Sequence, residues 1–114
     1  MIQNAVDLDN LRAATDGDKE LEQELFEEFI HQAEILLQEL EAFSGTETDN
    51  ESWRKTAHAF KGIALNLGAE PLGVLCKIGQ EECEAPPERK QEILRGIKSE
   101  YAKVHEFLQH EMNI

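Results

Sequence analysis

His58 stands in the run Arg54-Lys55-Thr56-Ala57-His58-Ala59-Phe60-Lys61-Gly62. On a helix, residues three and four positions apart are surface neighbours, so Arg54, Lys55, Lys61 and Gly62 surround the imidazole. An imidazole attacks through whichever ring nitrogen lacks a proton, and cations beside it favour an incoming group whose oxygens are negative. A phosphoryl group meets that description, because charge spreads over its oxygens in the loose transition state of its transfer. Lys61 would neutralise those oxygens. Gly62 needs its own reason, since glycine inside a helix costs on the order of 1 kcal/mol relative to alanine. Without a Cβ one turn from His58, the helix surface is flat enough for another active site to close on the ring.

For one ring nitrogen to attack, the other must hold the proton, and an acceptor must face it. Gln80 is the candidate. His58 lies ten residues before Gly68 and Gln80 ten after Glu70, so an antiparallel pair of helices joined at that short turn brings them level.

The elements that would position these residues are all helical, because no segment alternates with a period of two over a strand's length. A short helix near Asp7 to Ala14 ends at the turn Thr15-Asp16-Gly17. A second, from about Asp18 to Phe43, carries Leu25, Phe29, Ala33, Leu36, Leu40 and Phe43 as its buried stripe. Phe26, Ile30 and Leu37 form a neighbouring stripe that widens the core or docks a partner. Thr48 and Glu51 have capping-box spacing at the start of a third helix. Its seam is Trp53, Ala57, Phe60, Ala64 and Leu67, and Gly68 suits its left-handed end. Pro71 opens a fourth helix running to about Glu84, with Leu72, Leu75, Cys76, Ile78 or Gly79, and Cys83 inward. A fifth, from about Glu88 to Glu111, buries Leu94, Ile97, Tyr101, Val104 and Leu108. The expected fold is all-α: an antiparallel four-helix bundle with a short additional N-terminal helix, one domain over residues 1–114.

The stretch from Ala57 to Ala69, Ala-His-Ala-Phe-Lys-Gly-Ile-Ala-Leu-Asn-Leu-Gly-Ala, closely resembles the signature of histidine-containing phosphotransfer (HPt) domains, His-x-Leu/Phe-Lys-Gly-x-Ser/Ala-x-x-Leu/Ile-Gly-Ala. The resemblance continues through Leu72, Leu75 and Cys76 and covers roughly the whole chain. It departs at Ile78-Gly79, where many members have Leu-Glu. The resemblance implies that His58 is phosphorylated, that Lys61 stabilises the phosphate and that Gly62 gives clearance. Gln80 matches a position where the family often places a Gln or Glu bonded to the histidine. It further implies a carrier without kinase activity of its own, with response-regulator receiver domains and a sensor or hybrid histidine kinase as partners. No cofactor is expected on this chain, Mg²⁺ belonging to the receiver.

The 114 residues carry a net charge of -13, which repels nucleic acid and anionic membranes. Within that acidic chain, Ser52 through Ala69 contains no Asp or Glu. Arg54 and Lys55 either steer an acidic receiver or are solvated surface charges, and Ile30 and Leu65 are expected to form apolar contacts on the rims of the second and third helices. With no signal-peptide pattern and no long apolar run, the expectation is a cytoplasmic monomer. Cys76 and Cys83 are read as reduced thiols, and His31, His105 and His110 as ordinary side chains. Two rival readings are a metal-binding bundle, from the Glu28-Phe29-Ile30-His31 unit, and a bundle that docks receivers without phosphotransfer. The first needs a second such unit, which the chain lacks. A nucleotide-binding kinase lacks its glycine-rich phosphate loop.

Overall fold

A computed structural model describes residues 5–45 and 49–112. It contains five helices: α1 (Asp9–Thr15), α2 (Lys19–Ser44), α3 (Asn50–Leu67), α4 (Glu70–Glu81) and α5 (Pro87–Glu111). Among the described residues there is no strand, and no helix is long and apolar enough to cross a membrane. Helix α3 packs between α2 and α4, and α5 closes the ring by touching both α2 and α4. The result is the expected four-helix bundle with α1 laid against α2.

Local signals set most boundaries. Asp18 caps α2, its Oδ1 accepting from the Leu21 N–H at 3.1 Å. Asp16 and Gly17 both adopt positive φ in the turn before it. The expected cap residue Thr48 lies outside the described residues; α3 begins at Asn50, and the Asp49 side chain makes no capping bond. Helix α4 ends at Glu81, three residues short of the expected Glu84, so Cys83 falls beyond its end and is half-buried, packed against the edge of the core.

Every seam residue expected of α3 and α5 is buried: Trp53, Ala57, Phe60, Ala64 and Leu67 against Leu94, Ile97, Tyr101, Val104 and Leu108. Helix α2 is rotated from its expected setting. Its buried line is Glu22, Phe26, Phe29, Ala33, Leu40 and Ser44, while Leu36, Leu37, Phe43 and Ile30 are half-buried. Leu25, expected inside, is 40% exposed. The cause is the first turns of α2, where α1 packs and where Glu22 takes the inward position. Arg12 of α1 makes that burial tolerable, donating Nε and Nη2 to Glu22 Oε1 at 3.1 and 3.0 Å.

Ahead of α1, Val6 and Leu8 are buried, and the Asp7 N–H donates to the Gly68 carbonyl at 2.9 Å. This strap crosses the end of α3 where Gly68 has φ +97°, and a Cβ at that position would lie 1.9 Å from the Asp7 carbonyl oxygen. Only glycine meets both conditions.

Gly79 answers the departure noted in α4. It is buried between Ala57, Trp53 and Ile93, and its carbonyl accepts the Trp53 indole N–H at 2.8 Å. Lys90 of α5 is fully buried, hydrogen-bonded to Asn50 Oδ1 and 5.7 Å from the Trp53 ring centroid. It ties α5 to the first turn of α3.

Candidate functional site

The seam of α3 turns Ala57, Phe60 and Ala64 into the core, which leaves His58 exposed on the outer face. Helix α4 runs beside it on the Ala57 side, as the packing of Gly79 against Ala57 requires. That arrangement sets Gln80 opposite His58, with its Oε1 3.3 Å from the imidazole Nδ1. An amide oxygen only accepts hydrogen bonds, so the proton belongs on Nδ1. Nε2, on the other edge of the ring, keeps its lone pair and faces away from Gln80.

The surroundings of His58 divide by flank. On the α4 side, Lys61 is half-buried one turn further along α3. Arg54 lies one turn back and is engaged by Glu51, with Nε to Oε2 at 3.0 Å and Nη2 to Oε1 at 2.5 Å. Each partner stabilises the other's charge: the bond lowers the Glu51 carboxyl pKa and raises that of the Arg54 guanidinium. Lys55 is exposed. Among the described residues, neither Lys55 nor Lys61 is in an ion pair.

Nothing lies within 4 Å of where a Cβ on Gly62 would be. The glycine is therefore not required by packing inside the bundle, and the space it leaves opens outward beside the imidazole. Leu65, 49% exposed, continues this face two turns from His58 and lies across α4 at Gly73. Ile30 is half-buried on α2 and packs against the core.

A feature absent from the sequence reading adjoins the site. A groove of about 380 Å³ runs between α1, α2 and α3, lined by Leu11, Ala14, Leu25, Phe29, Ile63 and Asn66 among others. Ile63 and Asn66 are respectively one and four residues past Gly62 on α3, so the groove lies on the α2 side of that helix, further along from His58. The periodicity puts Leu25 in the buried stripe of α2, and only the placement of α1 makes it the wall of a groove.

Among the described residues, no three His, Cys, Asp or Glu side chains come together as a metal site. Glu28 instead accepts from Gln32 Nε2 at 2.7 Å, one turn along an exposed face.

No curated protein and no solved structure matches the chain. A family model does: that of the Hpt domain aligns with residues 24–107. This span reaches from the early turns of α2 to the last turns of α5 and takes in His58, Lys61, Gly62 and Gln80. By that match the chain belongs to the Hpt domain family, which carries out histidine phosphotransfer in two-component phosphorelays.

Proposed function

We propose that this chain is a phosphorelay intermediate in which His58 Nε2 accepts a phosphoryl group from a receiver-domain phospho-aspartate and passes it to a second receiver. The observation that carries the reading is the contact between His58 Nδ1 and Gln80 Oε1, which leaves Nε2 free on an exposed ring, one turn from Lys61, itself in no ion pair among the described residues, and from the open surface over Gly62.

In the forward step, Nε2 attacks phosphorus in line with the acyl oxygen. The N–P bond forms, the P–O bond breaks and the receiver recovers its carboxylate. The imidazole keeps its proton on Nδ1, where Gln80 balances the charge that develops on the ring. Lys61 neutralises the transferring oxygens, while Mg²⁺ is supplied by the receiver and none by this chain. The return step is the same chemistry toward another aspartate. A sensor or hybrid kinase supplies the phosphoryl group to the first receiver.

The receiver docks over the outer face of α2 and α3, with the groove at Leu11, Leu25 and Ile63 taking an apolar side chain next to its active site. Such a contact is transient, as a carrier must release one partner before meeting the next. The carrier works as a cytoplasmic monomer.

The test is transfer from a panel of phosphorylated receivers to the wild type and to His58→Gln, scored as acid-labile, base-stable phosphate. Label on the wild type and none on the variant supports the carrier. Receivers that bind but leave no label would instead support a docking-only bundle.

A further inference from the structure

The cations around His58 are not equivalent, and the ring's orientation decides which of them can reach a phosphoryl group. Helix α4 lies on the flank that carries Ala57, Arg54 and Lys61, since Gly79 packs beside Ala57 and Trp53. Gln80 draws Nδ1 toward this flank. Nε2 therefore turns to the opposite flank, where Lys55 and Gly62 stand two turns apart on one line of the helix surface.

Side chains on a helix lean toward its N-terminus. The imidazole thus extends over the turn that carries Arg54 and Lys55, while Lys61 leans back toward the imidazole from the next turn. Arg54 is held by Glu51, which compensates its charge. Lys55 is exposed and, among the described residues, in no ion pair, although its charge also helps to hold the Glu51 carboxyl down; it lies one turn before His58 on the flank away from α4.

We infer that Lys55, and not Arg54, is the second cation of the site: its ammonium contacts the phosphoryl oxygens on His58 Nε2 from the flank away from α4, opposite Lys61. The inference rests on the carrier reading, with His58 as the phosphorylated residue. It separates two basic neighbours that the sequence presents as a pair.

The experiment loads His58 chemically with phosphoramidate, so no receiver is needed. The donor's P–N bond breaks, a bond from phosphorus to Nε2 forms and ammonia leaves. The phosphorus NMR signal of His58, assigned by its loss in His58→Gln, is then followed against pH in the wild type, Arg54→Gln, Lys55→Gln and Lys55→Arg. A cation in contact favours the dianion, so Lys55→Gln is expected to raise the pH of phosphoryl protonation by roughly half a unit. Arg54→Gln and Lys55→Arg should follow the wild type. A Lys55→Gln curve that overlays the wild type, or an equal shift in Arg54→Gln, overturns the inference. Failure of the carrier reading is seen elsewhere, in wild-type protein that no phosphorylated receiver can label.

Discussion

His58 and Gln80 face each other across the α3–α4 contact, with Nδ1 and Oε1 3.3 Å apart. The pairing favours the ring proton on Nδ1 and leaves Nε2, the nitrogen proposed to attack, turned away from Gln80. Gln80→Ala removes the acceptor and lets the proton move to Nε2. The expected outcome is phosphotransfer slowed about fivefold, the equivalent of one hydrogen bond of ~1 kcal/mol. Gln80→Glu, which keeps an acceptor, should retain more of the rate. Transfer kinetics from one phosphorylated receiver check both, with circular dichroism confirming that the helices are unchanged.

Gly62→Ala should separate stability from function. Because a Cβ meets nothing within 4 Å and alanine is the better helix former, the variant should be more stable to urea by up to ~1 kcal/mol. Its transfer rate should fall even so, as the methyl group occupies the surface a receiver must approach. A bulkier Gly62→Leu should slow transfer further. Unchanged kinetics in both variants would remove the clearance role from Gly62.

At Gly68 the same substitution should act in the opposite direction. Gly68→Ala forces a side chain into φ +97° and against the Asp7 carbonyl oxygen, so a loss of roughly 2–4 kcal/mol is expected by urea denaturation. The strap before α1 should loosen first, seen as faster amide exchange at Asp7, whose N–H bonds the Gly68 carbonyl.

Cys76 gives a pH-dependent term. Burial pushes its thiol pKa up to about 12 from an ordinary 9.0. The unfolded chain therefore ionises first as pH rises, and the stability this thiol contributes is fully present below pH 9 and lost as pH climbs toward 12. In that window stability should fall by up to about 1.4 kcal/mol per pH unit through this group. Urea titrations of the wild type and Cys76→Ala between pH 8 and 11 should diverge in slope, and parallel slopes would sink the assignment.

Much of the site is written in local spacing. His58, Lys61 and Gly62 belong together because three residues are nearly one helical turn, and Gln80 was found by counting across the short link at Gly68 to Glu70, since antiparallel helices bring equidistant positions level. The seams of α3 and α5 were legible for the same reason. Even the pairing of Arg54 with Glu51 lies within one turn, although the sequence reading had placed Glu51 in a cap with Thr48.

Other features come from distant parts of the chain. Periodicity gives the mean direction of an apolar face, but its final rotation depends on what packs against it: α1 and Arg12 draw Glu22 inward and leave Leu25 in the groove wall. Lys90 is buried because Asn50 and Trp53, about forty residues earlier, receive its charged end. The sequence by itself determined the helices, the candidate nucleophile and its near neighbours, because those follow from backbone geometry over a few turns. Tertiary structure alone decided which flank of His58 faces α4, and so which ring nitrogen meets Gln80, because that depends on how neighbouring helices fill space around one core.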